Sequence, residues 1–129
     1  MSSSFLNLKL ADGYQLNAAD GYSFQSIPIK MTSEKGYSIT AVFSNGTPNG
    51  TLSVQVTDES DDPAARYMQP GLNRNGGVGW NTVPGSSIAV SAAGTITYQQ
   101  YFQTARWLRL VYTAASGTCQ LDAWISTKQ

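Results

Sequence analysis

The sequence predicts an all-β domain: an antiparallel β-sandwich of about eight or nine strands with a jelly-roll-like arrangement. Three observations support this prediction. Short segments in which apolar and polar residues alternate recur along the whole chain. Turns that contain glycine, proline and asparagine separate these segments at regular spacing. No long stretch keeps the 3.6-residue apolar period of an amphipathic helix, so no helix is predicted.

The N-terminal third contains two predicted strands. Residues 1–10 form a possible N-terminal arm that would add a strand to a neighbouring subunit, and a turn is predicted at 11–13. A second strand, 22–31, places Ile27 and Ile29 on one face. Pro28 lies between them and cannot donate to a ladder, so this strand is expected to be at an edge or broken.

The clearest alternation follows in residues 37–44 and 51–57, where every second residue is apolar and faces inward. Two Asn-Gly pairs in 45–50 separate these segments. Asn and Gly tolerate positive φ, so the two strands are predicted to form a hairpin. Residues 58–78 are predicted to be a long loop, which is uncommon in a compact domain and often functional.

The C-terminal half contains the remaining predicted strands, at 79–83, 87–91, 95–102, 105–113 and 118–127. The segment 105–113 is apolar on both faces, which indicates a central strand or one whose outer face is covered by a partner. Cys119 is predicted to face the core from the last strand, next to a polar outer face that carries Trp124.

Composition limits the functional classes. The chain has 129 residues and no internal linker, which predicts one domain over 1–129. Only 12% of the residues are charged, about half the usual share, so the polar surface must consist of hydroxyl and amide groups. Eight basic and eight acidic residues cancel, which removes the electrostatic signature of nucleic-acid or anionic-membrane binding. No signal peptide is visible, so synthesis in a cytoplasm is expected.

The sequence predicts no enzyme, no cofactor and no metal site. The absence of histidine excludes Ser-His-Asp and Cys-His catalysis, and one cysteine cannot build a zinc site or an internal disulfide. Asp58, Glu59, Asp61 and Asp62 crowd one loop. Catalysis by paired carboxylates and calcium binding are alternatives there, but a solvated acidic loop is the favoured interpretation.

The aromatic residues are the stronger candidates for function. Trp124, Trp107, Arg109 and Trp80 are predicted partner-binding residues, because large aromatic residues on outward strand faces are enriched at interfaces. Trp107 and Arg109 share a face and would lie beside Trp124 if the last two strands paired. A carbohydrate platform and a simple role in covering the core are the alternatives.

The C-terminal half resembles a known group of proteins. Its segment Val83-Pro84-Gly85-Ser86-Ser87-Ile88-Ala89-Val90-Ser91-Ala92-Ala93-Gly94 is followed by Ala105-Arg106-Trp107-Leu108-Arg109-Leu110-Val111-Tyr112-Thr113 and then by Ala115-Ser116-Gly117-Thr118. Together with 39–56, these segments resemble small all-β virion proteins of tailed bacteriophages. One departure is Cys119, where the family pattern usually has glycine.

The resemblance implies a structural role on the virus particle, as a capsid decoration protein or a head or tail accessory. It implies docking on major capsid or tail subunits, and we expect a homo-oligomer, with a trimer favoured. It supplies no catalytic residue. The alternative function is a carbohydrate-binding or host-receptor-binding module that uses exposed Trp and Tyr side chains.

Overall fold

The structure is a computed structural model, and it describes residues 5–18, 24–31, 36–58, 80–101 and 105–128. The described residues are all-β and form two antiparallel sheets. No helix in these ranges is long and apolar enough to cross a membrane. The strands are β1 (Phe5–Asn17), β2 (Phe24–Gln25), β3 (Ile29–Lys30), β4 (Gly36–Ser44), β5 (Asn49–Thr57), β6 (Asn81–Thr82), β7 (Ile88–Val90), β8 (Gly94–Gln100), β9 (Trp107–Ser116) and β10 (Thr118–Lys128).

The strand pairs are nested. Sheet A has the order β1-β10-β4-β8. In sheet B, β9 and β5 lie in the middle, β2 and β3 pair with the other side of β9, and β6 and β7 pair with the other side of β5. The first strand thus pairs with the last, β2 and β3 pair with β9, and β4 pairs with β8. The chain therefore passes from one sheet to the other at most connections.

One hydrophobic core lies between the sheets. Every second residue of β4 is buried, and β10 buries the alternating set that the sequence predicts, so both inward faces are confirmed. Ring contacts join the sheets: Phe43 packs on Tyr112 at 5.1 Å between centroids, and Tyr14 packs on Phe24 at 4.9 Å. Full burial of one such aliphatic or aromatic side chain contributes about 1.5–3 kcal/mol.

The N-terminal segment differs from the predicted arm. The described part of 1–10 belongs to β1, which pairs with β10 of the same chain. The predicted turn at 11–13 is an irregularity within this strand, where the register to β10 shifts. Gly13 has a φ of 62°, and its N–H donates to the Asp122 carboxylate at 2.8 Å, so Asp12-Gly13 bulges the strand instead of ending it.

The predicted hairpin between β4 and β5 is wrong, because these strands lie in different sheets. The segment between them crosses the end of the domain and contacts the turn before β10. Asn45 has a φ of 54°, and the Thr47 N–H donates to the Thr118 carbonyl at 2.9 Å. A Cβ on Gly46 would collide with that same carbonyl. The Asn-Gly pairs therefore serve a close chain crossing that needs the same backbone freedom as a hairpin turn.

The segment around Pro28 is an interrupted edge strand, as predicted. β2 and β3 flank it, and each pairs with β9. The prediction that Ile27 and Ile29 share a face is wrong, since Ile27 is 68% exposed and Ile29 is buried. The interruption at Pro28 breaks the two-residue period that the prediction assumed. Of the predicted loop 58–78, all but Asp58 lies outside the described residues.

The turn Pro84-Gly85-Ser86 has a structural role in sheet B. Gly85 has a φ of 82°. The buried Ser86 hydroxyl accepts from the Val54 N–H at 3.1 Å and donates to the Val83 carbonyl at 2.8 Å. This hydroxyl holds the turn between β6 and β7 against β5 in sheet B.

Candidate interaction surfaces

The outer face of sheet B carries three outward side chains of β9. Trp107, Arg109 and Val111 are 8%, 4% and 6% exposed, and none of them belongs to the core cluster between the sheets. Because the segment 105–113 is apolar on both faces, the sequence predicts that it is a central strand or that a partner covers its outer face. β9 is indeed central, and its outer face is already buried within the single chain.

Arg109 is held by side chains from three neighbouring strands or their ends. Its Nε donates to the Gln55 side-chain oxygen at 2.8 Å, and one terminal nitrogen donates to Gln25 at 3.3 Å. Its guanidinium carbon lies 4.3 Å from the centroid of the partly exposed Trp80 ring. Amide oxygens and an aromatic face both stabilise a buried guanidinium. Arg109 thus ties β2, β5 and the start of β6 to β9.

The outer face of sheet A is more open. Trp124 is partly exposed at the middle of this sheet, between Lys9 of β1 and Thr40 of β4 in the strand register. The Lys9 ammonium lies 5.5 Å from the Trp124 ring centroid and 3.8 Å from the Asp122 carboxylate. Asp122 also accepts from Gln120, so the indole lies beside a hydrogen-bonded row of amide and carboxylate groups.

The predicted neighbourhood of Trp107 and Trp124 is wrong. It required the last two strands to pair, but β9 pairs with β2, β3 and β5, whereas β10 pairs with β1 and β4. The two tryptophans lie on opposite outer faces of the two-sheet stack. Trp80 and Arg109 lie with Trp107 on sheet B, and Trp124 lies alone on sheet A. A single aromatic platform built from all three tryptophans is therefore not formed.

Cys119 faces the core, as predicted, and burial raises the pKa of its thiol. Tyr112, across the core on β9, also has a raised pKa, first because it is buried and second because of the Cys119 charge. Cys119 lies in β10 without positive φ, so it occupies ordinary strand backbone. Its side chain fills the core and is a neutral thiol.

The acidic candidates are only partly described. Asp58 is exposed and accepts from the Arg106 backbone N–H at 3.2 Å, while Glu59, Asp61 and Asp62 lie outside the described residues. Among the described residues, no three His, Cys, Asp or Glu side chains come together as a metal site. The expectation of a non-enzyme without cofactor remains a prediction.

Sequence reasoning did not identify β8 as an edge strand of sheet A. β8 pairs with β4 on one side, and no other described strand pairs with it. Its exposed residues include Thr95, Thr97 and Gln99, and Tyr101 just beyond its end is 84% exposed. The sequence does distinguish this region, because residues 75–105, which include β8, contain no charged side chain.

No protein-family model matches the chain, and no curated protein matches it. Among solved structures, the chain is similar to one from a study that describes Bacillus endospore appendages as a family of disulfide-linked pili. That chain is 13% identical, and the alignment covers 98% of this chain and 90% of that one, with a TM-score of 0.42. A likeness at this level carries no argument about function.

Proposed function

We propose that this chain is a structural protein of a bacteriophage particle, a capsid decoration protein or a head or tail accessory that docks on other virion subunits. The resemblance of 83–94, 105–113 and 115–118 to small virion proteins of tailed phages supports the proposal. That resemblance is the observation that carries the proposal, and the nested strand order is compatible with it.

The nested order supports a jelly roll. If β2 with β3 and β6 with β7 are each counted as one interrupted strand, the ten strands reduce to eight. The eight then pair first with last, second with seventh, third with sixth and fourth with fifth. A jelly roll has eight strands in two sheets, and viral capsid domains use it. Lectin domains use it as well, so the fold alone does not choose between assembly and glycan binding.

The outer face of sheet A is the proposed docking face. Trp124 is a partly exposed aromatic residue at its centre, and the surrounding outward residues are mostly hydroxyl and amide side chains, Ser38, Thr40, Thr95, Thr97, Gln99 and Ser126. Aromatic residues are enriched at the centre of protein interfaces. The outer face of sheet B is less suited, because its large side chains are buried within the chain.

Mass spectrometry of particles purified from the source phage tests the virion assignment. The chain is expected in purified particles at a fixed ratio to the major capsid or tail subunit. Particles that lack it, while the infected cytoplasm contains it, would contradict the proposal. Trp124→Ala is expected to fold but to be lost from particles, whereas Trp124→Phe, which keeps an aromatic ring, is expected to be retained.

Glycan or host-receptor binding is the second candidate, and the surroundings of Trp124 favour it specifically. The indole lies beside the Asp122 carboxylate and the Gln120 amide, and Gln120 also accepts from the Asn45 amide at 3.1 Å. An aromatic ring flanked by carboxylate and amide groups suits a sugar, which presents an apolar face and hydroxyl groups. A glycan array with wild type and Trp124→Ala tests this. No wild-type binding, or equal binding by the variant, would exclude it.

A further inference from the structure

The uncharged segment 75–105 contains β6, β7 and β8. β8 is an edge of sheet A, and β6 and β7 form an edge of sheet B. The opposite edges, β1 and β2, are joined by the ring contact between Tyr14 and Phe24. The strand orders therefore place β8 on the same side of the domain as β6 and β7. We call the edges formed by these three strands the uncharged flank.

The two edges of sheet A differ in how they are protected. β1 carries Lys9 and Asp12 and has two register shifts around Ala11, and charges and bulges of this kind block edge-to-edge pairing. β8 is seven residues long, pairs in unbroken register with β4, and contains no charge and no proline. Alternate residues of such an edge direct N–H and C=O groups away from β4. β8 thus has the form of an edge that accepts another strand.

We propose that β8 of a second copy of this chain pairs with β8 across a two-fold axis on the uncharged flank. The proposal deepens the proposed assembly function by naming one partner, a second copy. An isologous contact places each residue against the same surface of its copy, so a charged edge would repel itself and an uncharged edge does not. The pairing would join two four-stranded sheets into one continuous sheet.

Full overlap of the seven residues fixes the register. The two-fold axis then runs between the two copies of Thr97. Ile96 lies opposite Tyr98 of the second copy, and Thr95 lies opposite Gln99 of the second copy. Ile96 and Tyr98 are partly exposed and pack against the core from the inward side of β8, so pairing would bury the remainder of both. Thr97 is exposed on the outer face and would lie opposite its own copy.

Light scattering and sedimentation equilibrium of the purified chain test the contact. Wild type is expected to be a dimer or an even-numbered oligomer. Thr97→Lys and Thr97→Asp each place like charges across the axis, and each should raise the dissociation constant about twofold to fivefold. An equimolar mixture of these two variants should dimerise again, because Lys then faces Asp. Thr113→Lys, an exposed threonine on β9, is the matched control and should behave as wild type.

A monomeric or trimeric wild type, an undiminished dimer in Thr97→Lys, or no recovery in the mixture would overturn the proposal. A β8 edge that instead receives a strand of another virion protein would give a monomer in solution whose Thr97→Lys variant is lost from particles. The two proposals also fail separately. A monomer found in particles contradicts the β8 contact alone, and a dimer absent from particles contradicts the virion assignment alone.

Discussion

β9 and β10 are both central strands of their sheets, yet their outer faces are different surfaces. β9 turns Trp107, Arg109 and Val111 outward, and all three are buried. β10 turns Trp124 outward among Gln, Asp and Ser side chains, and it is partly exposed. A central position alone therefore does not decide exposure. The difference lies in the sequence of the outward residues: bulky apolar and arginine side chains form a closed layer, whereas an isolated tryptophan among small polar residues stays accessible.

The largest expected contrast is between the two tryptophans. Trp107→Ala should destabilise the fold by about 3–5 kcal/mol, the usual cost of truncating a buried aromatic side chain. Trp124→Ala should cost about 1 kcal/mol or less, because its ring is partly in solvent. Urea unfolding of both variants measures the difference. Equal losses of unfolding free energy would remove the distinction between a closed and an open face.

Arg109 should give the next largest effect. Arg109→Lys keeps the charge but loses the planar contact with Trp80 and the fork that reaches Gln25 and Gln55, so a loss of about 1–3 kcal/mol is expected. Arg106→Lys is the matched control, since Arg106 is exposed, and should stay within about 0.5 kcal/mol of wild type. Thermal and urea unfolding compare the two variants, and equal stability would mean that the buried contacts of Arg109 contribute little.

Local pattern was sufficient to predict the inward faces of the regular strands. The alternation in β4 and β10 places the same residues in the core that the structure buries. Successive side chains of a strand point to opposite faces, so alternating apolar and polar residues are sorted onto an inner and an outer face. Pro28 predicted an interruption for a similarly local reason, the lost N–H donor. The doubly apolar pattern of β9 likewise predicted a central strand correctly.

Pairing between strands was not predictable in the same way. The Asn-Gly turns before β5 are compatible with a hairpin and with a crossover, and the crossover forms a hydrogen bond to the distant carbonyl of Thr118. The same limit affects the candidate site. The residues near Trp107 and Trp124 do not indicate that β9 and β10 belong to different sheets. The prediction that these tryptophans are neighbours assumed that the last two strands pair, and the local pattern carries no information on that pairing.

Alkaline pH should act on the core beneath both faces. Burial raises the pKa of Cys119 on β10 and of Tyr112 on β9 above their ordinary values of 9.0 and 10.0. The unfolded chain therefore releases these protons first. The stabilisation is fully present below about pH 9 and is lost as pH rises through the raised values.

The urea concentration at the midpoint of unfolding should decrease as the pH rises from about 8 to about 11, which is roughly the range over which these groups titrate. Cys119→Ala is expected to be less stable at every pH because it leaves a cavity, but its midpoint should fall less steeply over this interval. An identical slope in wild type and variant would show that the Cys119 thiol contributes nothing to the pH dependence.

Lys9 should give the smallest stability effect and the sharpest test of the open face. Its ammonium lies over the Trp124 ring and near Asp122, but it is half exposed, and such surface contacts contribute about 0–1 kcal/mol. Lys9→Ala should thus leave the urea midpoint almost unchanged and shift the Trp124 indole N–H resonance. Lys30→Ala, on β3 opposite Trp107 in sheet B, is the control and should leave that resonance in place. A Trp124 resonance that responds to Lys30 and not to Lys9 would mean that the two outer faces are not separate surfaces, because only a connection between the sheets carries such an effect.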